Sequence, residues 1–395
     1  MILEGTGLAQ ARFEKTRRIE YLDSLRGLAA LQVMFSHVAY IFPVFWEALE
    51  KGTFRNGFVW AMTRTPLHLM WEGPEAVIFF FVLSGFVLAQ SYLTRPTPPY
   101  GYYLIKRTCR IYLPYLVVMA LCTVILLMVF PVDRLPEVSE RFNGIWADRP
   151  TLRESLKYLV MIGDFRKLDS PAWSLAHEMR ISVIFPFIAL YVLRYRVWAS
   201  LVLSGVVMAV YLGSEPLVLG HFAARQILES VFCSAFFIWG CALAKYRERV
   251  REVLERFGTW GKTGLFLAVV VLYHWRWEPW GPFLNRDRIV EVANGSAALL
   301  ILGAALSYRS FQDLLGSGPL LWVGKRSYSL YLIHVPILVL CIHWLPGVFP
   351  LFLRVVLGIL LALTGSDLFY RFVERPSLQW GHRWAGKYLD RRSSP

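Results

Sequence analysis

Arg26 and His37 are the two residues whose types and spacing most directly suggest chemistry. They stand eleven positions apart in an apolar stretch. On an α-helix they would lie about 20° apart around the axis and about 16 Å apart along it. Imidazole titrates near neutrality and can take the proton of a hydroxyl group, whereas guanidinium pairs with carboxylate and phosphate oxygens. Asp23 falls on the same broad face, so one stripe carries an acid, a permanent cation and a base.

Each of these residues also has a simpler explanation when it is taken alone. Arg26 is typical of an interfacial cation that snorkels from a helix start. His37 is typical of a buried, hydrogen-bonded histidine. The shared face, and the depth of the imidazole beyond the snorkelling zone, favour a functional pair, since ionisable groups inside membrane helices are costly.

Two other apolar stretches also contain polar residues. In the fourth stretch, near 172–193, Ser174 and Glu178 share a helix face. Glu178 lies about 9 Å in from the outer end of this helix, a depth comparable to that of His37 in its own helix. Arg180 points nearly the opposite way. The ninth stretch places three side chains on one stripe, namely Ser327, Tyr331 and His334. Interhelical hydrogen bonding would explain any one of these helices, but together they favour a buried polar chamber.

A cluster of cations precedes the third apolar stretch, in Lys106, Arg107 and Arg110. A bias of basic residues toward the cytoplasm explains one or two of them. Arg110 already stands within the apolar run, where it needs an anionic partner. A phosphate-bearing ligand would supply one, because guanidinium binds phosphate oxygens in a fork.

The amino-acid composition indicates that membrane-spanning helices position these residues. Of 395 residues, 56% are hydrophobic and 18% are charged. The apolar residues concentrate in runs near the length that spans a bilayer. This excludes disordered, fibrous and disulfide-stapled secreted chains, and predicts an all-α, polytopic membrane protein. The ten predicted helices lie near 22–46, 73–94, 108–131, 172–193, 197–213, 222–244, 263–275, 289–308, 320–343 and 349–372.

The net charge of +14 is explained by topology. With the N-terminus inside, cytoplasmic segments hold nearly twice as many Lys and Arg residues as outer segments, so we predict an N-in, C-in arrangement. A nucleic-acid partner is therefore not needed. We expect the first helix to remain part of the mature protein, because the apolar region of a cleavable signal peptide would not contain Asp23, Arg26 and His37.

The remaining features indicate one membrane domain. We predict a basic cytoplasmic N-terminus over 1–19, a membrane domain over 20–376 and a basic cytoplasmic tail over 377–395. The five cysteines fall in or beside apolar segments without paired spacing, and we interpret them as buried apolar residues. No metal-binding motif is present in the sequence. Within the outer loop 132–170, residues 151–162 have helical apolar spacing and could lie flat on the membrane.

The chain resembles the acyltransferase-3 family of bacterial membrane O-acyltransferases over residues 20–376. Six motifs occur in the family's order. They are Leu22-Asp23-Ser24-Leu25-Arg26-Gly27 with His37, Phe79-Phe80-Phe81-Val82-Leu83-Ser84-Gly85-Phe86, Lys106-Arg107 through Arg110-Ile111-Tyr112 with Pro114, Trp173-Ser174-Leu175 with Glu178, Ser327-Tyr328-Ser329-Leu330-Tyr331-Leu332-Ile333-His334, and Glu374-Arg375-Pro376. Many members continue the fourth motif with a second acid and Phe-Tyr, where this chain has Met179-Arg180-Ile181.

The resemblance implies a multi-pass protein of the cell inner (cytoplasmic) membrane, in contact with membrane lipid. It would transfer an acyl group, most often acetyl, from cytoplasmic acyl-CoA to a hydroxyl of a cell-surface or lipid-linked glycan, without a metal. In that reaction His37 is the predicted general base and Glu178 would orient its ring. The predicted donor-binding cations are Arg26, which we also count as catalytic, Lys106, Arg107 and Arg110. The predicted substrate-binding residues are Trp173, Ser174, Ser327, Tyr331 and His334.

Two other classes of function stay open at this point. A transporter or flippase for a lipid-linked sugar would also use ten helices and a polar chamber, but would not need acyl-CoA or the cations of the third helix. A sensor or scaffold would leave the in-span ionisable residues unexplained. Within the enzyme hypothesis, the acyl group passes directly to the sugar or rests first on His37, Ser327 or Tyr331.

Overall fold

The computed structural model describes residues 19–93, 97–129, 132–218, 220–273 and 286–393. Within these ranges the chain forms helices, turns and loops but no strand, which confirms the all-α prediction. The helices are α1 (Glu20–Ile41), α2 (Pro43–Glu50), α3 (Gly57–Arg64), α4 (Gly73–Leu93), α5 (Tyr100–Val129), α6 (Glu140–Asn143), α7 (Leu152–Leu159), α8 (Ala172–Arg194), α9 (Val197–Ser214), α10 (Phe222–Glu255), α11 (Thr259–Tyr273), α12 (Arg286–Ser307), α13 (Arg309–Leu315), α14 (Gly318–Trp344), α15 (Leu351–Phe369) and α16 (Arg375–Ser393).

Each of the ten predicted helices corresponds to a helix of the structure. In the described ranges, eight helices are long and apolar enough to cross a membrane, and a ninth span results if α1 and α2 are counted together. The fifteen-residue α11 is apolar but shorter. The count of ten crossings and the N-in orientation therefore stay predictions. We call the end of the bundle where α1 begins the near side, and the end where α1 finishes the far side.

The first helix ends earlier than the sequence predicts. We expected it to run to residue 46, but α1 stops at Ile41 and α2 leaves it at a bend of 102°. Phe42 is extended and Pro43 begins α2, because a proline lacks the N–H that would continue the preceding helix but suits a first helical turn. Predicted residues 1–18, 94, 130–131, 274–275 and 394–395 lie outside the described ranges.

Glycine contacts bring two pairs of helices together almost backbone to backbone. At Gly27, an added Cβ would lie 2.7 Å from the backbone nitrogen of Gly324, so α1 and α14 cross closely near their near-side ends. Gly85 of α4 and Gly240 of α10 meet the opposing backbone in the same way. Small residues at such crossings are the usual device for helix association in membranes. These crossings fix the faces of α1, α4 and α14 that line the site.

The far-side loop between α5 and α8 is folded onto the bundle. Trp146 is buried there and its indole N–H donates to the Leu168 carbonyl over 2.8 Å. Arg354 of α15 donates to Glu137 Oε1 over 2.6 Å and also to the Ile342 carbonyl. The predicted amphipathic segment forms α7, which leaves Leu152 and other apolar side chains exposed.

The C-terminal residues form a helix rather than an extended tail. α16 follows a π-helical turn over Tyr370–Glu374 and packs along the near-side half of α5. Gly381 lies against Cys109, and Gly101 lies against the ring of Tyr388. All five cysteines are buried, as we predicted.

Candidate active site

All four predicted donor-binding cations line one cavity on the near side. The cavity has a volume of about 430 Å³, and its walls come from α1, α4, α5 and α16. Arg26 lies at the α1 wall beside Asp23, with 4.0 Å between Arg26 Nη1 and Asp23 Oδ1. The α5 wall contributes Lys106, Arg107 and Arg110. A concave site with this excess of positive charge is suited to a ligand that carries several phosphate groups.

A π-helical turn over Thr108–Tyr112 shapes the cationic wall. Pro114 has no N–H, so the carbonyl of Cys109 loses the donor that a π-turn would provide. The hydroxyl of Ser377 on α16 donates to that carbonyl instead. The hydroxyl of Tyr328 on α14 donates to the Ile111 carbonyl over 2.6 Å. The wide turn therefore joins α5 to both α14 and α16 at the cavity.

A second, smaller cavity of about 50 Å³ lies deeper in the bundle. Arg26 and Arg110 line both cavities, so these two guanidinium groups stand at the passage between them. Besides these two arginines of α1 and α5, the small cavity is lined by predicted residues of α8 and α14, namely Ser174, Glu178, Ser327 and Tyr331. The predicted polar chamber is therefore present in part: the polar side chains predicted on α8 and two of the three predicted on α14 line it, whereas His37 and His334 do not.

Glu178 does not orient His37, contrary to the role we expected for it. Its Oε1 accepts a hydrogen bond of 3.1 Å from the hydroxyl of Ser84 on α4. Its charge acts on Arg26, which lines the same cavity. A carboxylate at this depth offsets the cost of holding guanidinium groups in an apolar bundle. The geometry makes Glu178 a counter-ion of the passage.

His37 is instead supported by His334. The Nδ1 of His37 lies 2.9 Å from the Val33 carbonyl, and the Nδ1 of His334 lies 2.9 Å from the Leu330 carbonyl. A carbonyl can only accept, so each Nδ1 carries a proton. His334 Nε2 lies 3.3 Å from His37 Nδ1 and can accept from it. This leaves the Nε2 of His37 with a lone pair, the form that a general base requires.

The expected cavity shared by Arg26 and His37 is interrupted. The lining of neither cavity includes His37 or His334. Tyr331 closes the small cavity toward them, with its ring 6.2 Å from the ring of His334 and 5.6 Å from that of Phe80. The Tyr331 hydroxyl lies 2.6 Å from Ser174 Oγ, which holds the ring in place. A path from the near side to His37 requires this ring to move.

Of the other residues that we singled out in the sequence, one lines the small cavity and two lie away from both cavities. Ser327 lines the small cavity and its hydroxyl donates to the Gly324 carbonyl over 2.9 Å. Trp173 lines neither of these cavities; its ring packs 5.5 Å from that of His177 and remains 36% exposed. Arg180 points away, as predicted, and binds the far-side loop at the Met161 carbonyl.

Sequence reasoning missed two contributors to the site. Ser84 is the hydrogen-bond partner of Glu178, although it stands within a motif that we had singled out. His382 of α16 lines the near-side cavity, within a segment that we interpreted as a tail. The four-residue spacing of Trp380, Trp384 and Tyr388 was the available signal for a helix there.

The acyltransferase domain family matches residues 19–371. The chain belongs to this family. Three relatives of this chain show the similarity. YrhL of Bacillus subtilis (strain 168) is 27% identical over 395 residues, which are 94% of this chain and 57% of YrhL. The O-acetyltransferase OatA of Staphylococcus aureus (strain MRSA252) is 27% identical over 241 residues, which are 56% of this chain and 38% of OatA. The peptidoglycan O-acetyltransferase OatA of Listeria monocytogenes (serovar 1/2a, strain ATCC BAA-679 / EGD-e) is 24% identical over 386 residues, which are 90% of this chain and 56% of OatA.

The chain thus spans little more than half the length of the longest-matching relatives. No solved structure matches it. The family match confirms the resemblance deduced from the motifs. Together with the apolar helices, it establishes this acyltransferase family member as a multi-pass membrane protein.

Proposed function

We propose that this chain is an O-acyltransferase that moves an acetyl group from acetyl-CoA to a hydroxyl of a glycan across the membrane. The names of the relatives support O-acetyl transfer and a glycan acceptor. The observation that carries the proposal is the cationic near-side cavity, which meets a polar chamber through Arg26 and Arg110. Acetyl-CoA is cytoplasmic, so in this proposal the near side faces the cytoplasm and the membrane is the cell's inner (cytoplasmic) membrane.

The donor would bind with its phosphate groups among the cations of α5. Lys106, Arg107 and Arg110 supply charge and forked N–H donors for phosphate oxygens. The pantetheine arm would extend past Arg26 into the small cavity. Arg26 and His37 lie on one helix, about 16 Å apart along its axis. An extended pantetheine arm covers a large part of this distance. Rotation of Tyr331 would then admit the thioester to His37.

His37 would act as the general base. Its Nε2 accepts the proton of the sugar hydroxyl, while the hydroxyl oxygen bonds to the thioester carbonyl carbon. The carbon–sulfur bond breaks and the electron pair leaves with the CoA thiolate, which takes up the proton from the imidazolium or from water. General-base catalysis of this kind contributes about 10²- to 10⁴-fold to a rate. His334 is a positioning residue, because it touches His37 and lies fully buried.

The proposal is tested with the purified chain in proteoliposomes that enclose a glycan acceptor, with radiolabelled acetyl-CoA outside. We expect label on the enclosed glycan, identified by mass spectrometry as an O-acetyl ester. The quadruple variant Arg26→Gln, Lys106→Gln, Arg107→Gln and Arg110→Gln should abolish it. Equal labelling by this variant, or glycan movement that does not need acetyl-CoA, contradicts the proposal, and the second result favours a transporter.

A further inference from the structure

A row of aromatic rings leads away from His37 on the far side. The ring of Tyr40 lies 6.0 Å from the ring of His37, and the ring of Trp46 lies 5.7 Å from that of Tyr40. The guanidinium of Arg141 stacks 5.8 Å above the Trp46 ring. We call these four side chains the far-side surface. All four are half-buried, so each presents part of its surface to a ligand.

The far-side surface is held in a defined geometry. The backbone N–H of Ser139 donates to the Ile41 carbonyl over 2.9 Å, and its hydroxyl bonds to the Tyr40 carbonyl. These bonds tie the segment that carries Arg141 directly to the last turn of α1. Trp46 lies on α2, which the bend after Ile41 turns across the end of α1. Arg141 is therefore positioned relative to His37 by backbone contacts.

Arg141 carries a charge that the described part of the chain does not neutralise by an ion pair. The acids that influence it at longer range are Asp164 and Glu50, and Asp164 pairs with Arg166 over 3.2 Å. Burial lowers the pKa of Arg141 and the neighbouring charge of Arg166 lowers it further. A half-buried guanidinium without a carboxylate is poorly compensated, and an anion that reached it would find forked donors already oriented.

We propose that the far-side surface binds an acceptor glycan whose sugar carries a carboxylate or phosphate group. Arg141 pairs with that group, and the rings of Tyr40 and Trp46 pack against the apolar faces of the sugar. Steps of 6.0 and 5.7 Å join the rings of His37, Tyr40 and Trp46, and 5.8 Å separates the Trp46 ring from the Arg141 guanidinium, so the proposed acceptor extends along these rings from His37 to Arg141. This inference rests on the proposed function and adds the charge class of its substrate.

A phospholipid headgroup offers the same anionic chemistry as a glycan, and the experiment must separate the two sources. We choose the glycan because the row of rings from His37 through Tyr40 and Trp46 leads to the guanidinium, along the path that an acceptor held at His37 would occupy. The test uses the full chain in nanodiscs of neutral phospholipid, is repeated in nanodiscs that contain anionic phospholipid, and compares two acceptors of equal length. One is a soluble oligosaccharide with uronic acid carboxylates, and the other is the same oligosaccharide with those carboxylates reduced to alcohols.

The variants are Arg141→Gln and, as a matched control, Arg134→Gln, an exposed arginine of the same loop. We expect Arg141→Gln to raise the KM for the anionic acceptor about ten-fold, as for the loss of one charge-assisted hydrogen bond. The KM of this variant for the reduced acceptor and its affinity for acetyl-CoA should equal those of the wild type. These two values also show that the variant is folded. Arg134→Gln should match the wild type, and Arg141→Lys should recover part of the loss.

The inference is overturned if Arg141→Gln treats both acceptors as the wild type does, or weakens both equally. A defect that appears only in nanodiscs with anionic lipid, whatever the acceptor, assigns Arg141 to a headgroup and also overturns it. Failure of the wild type to transfer acetyl to either acceptor contradicts the proposed function instead. The two failures are therefore distinguishable in one set of measurements.

Discussion

The Nε2 of His334 lies 3.3 Å from the Nδ1 of His37, and each ring is tied by its own Nδ1 to a carbonyl one turn earlier in its helix. Two helices thereby fix one imidazole. The arrangement resembles the way in which a third group orients the base in a catalytic triad, except that the orienting group is neutral and buried. It leaves the Nε2 of His37 available for the role of base that we propose, in a bundle whose cationic cavity lies on the near side.

His334 should therefore affect the chemical step without affecting donor binding. We expect His334→Ala to lower kcat by about 10- to 100-fold, by analogy with the loss of an outer partner of a functional histidine. The Kd for acetyl-CoA should stay unchanged. The pH profile of kcat should also shift, because the environment of the base changes. A Kd raised in parallel with the fall in kcat would show that His334 supports the bundle instead of the base.

The α16 wall of the near-side cavity should contribute to donor affinity. We expect His382→Ala to raise the Kd for CoA by about ten-fold or more, the loss of one hydrogen bond to a charged group. Isothermal titration of the detergent-purified protein measures this. Arg383→Ala is the matched control, since its exposed side chain is adjacent but does not line the cavity. Equal effects of the two substitutions would contradict a specific role of His382.

Tyr331 should act as a gate through its ring. If the hydroxyl only holds the ring, through its hydrogen bonds with Ser174 and the Pro171 carbonyl, then Tyr331→Phe frees the ring. Transfer should stay within about 30-fold of the wild type, since two neutral hydrogen bonds of about 1 kcal/mol each are lost. Single-turnover assays with radiolabelled acetyl-CoA measure the rate. If Tyr331 carried the acyl group instead, the variant would be inactive, and the wild type given donor alone would yield a labelled protein.

The ion pair between Glu137 and Arg354 should make stability depend on pH. The hydrogen bond from Arg354 lowers the pKa of Glu137 below its ordinary value. A lowered folded-state pKa adds stability above the unfolded-state pKa, and this stability is lost as the pH falls through the folded-state value. Arg354 is buried, so Glu137→Gln also leaves its guanidinium without a carboxylate.

Thermal unfolding followed by tryptophan fluorescence checks this pair. We expect Glu137→Gln to unfold at a lower temperature than the wild type at pH 7. The difference should shrink as the pH is brought below the ordinary glutamate range, because the wild-type residue then becomes neutral as well. A difference that stays constant across this pH range would contradict a role for the charge of Glu137.

The positions of the helices could be predicted from the sequence because each apolar run has the length that spans a bilayer. The residues at which a helix ends could be predicted less well. Pro43 stood in a continuous apolar run, and only the structure shows that the chain turns by 102° there. In the same way, the polar composition of α16 concealed a helix, because it packs on a protein surface through glycine and serine, and its exposed tryptophans, Trp380 and Trp384, do not make a continuous apolar run.

The site was predictable within each helix and less so between helices. Helical periodicity placed Ser174 with Glu178, and Ser327 with Tyr331, and the structure confirms both pairs. It could not tell which helix each face would meet. Depth alone made Glu178 a partner for His37, whereas in the structure Glu178 accepts from Ser84 and shares a cavity with Arg26, and the crossing of α1 and α14 at Gly27 brings His334 to His37.

The most direct test of the account compares His37→Ala with the wild type in a single measurement of donor binding and acetyl transfer. Both proteins, in nanodiscs with saturating radiolabelled acetyl-CoA and a glycan acceptor, are followed through one turnover. If His37 is the general base, the two proteins have equal Kd values for acetyl-CoA and the variant transfers at least about 10²-fold more slowly. Transfer at a near wild-type rate with bound donor would contradict it.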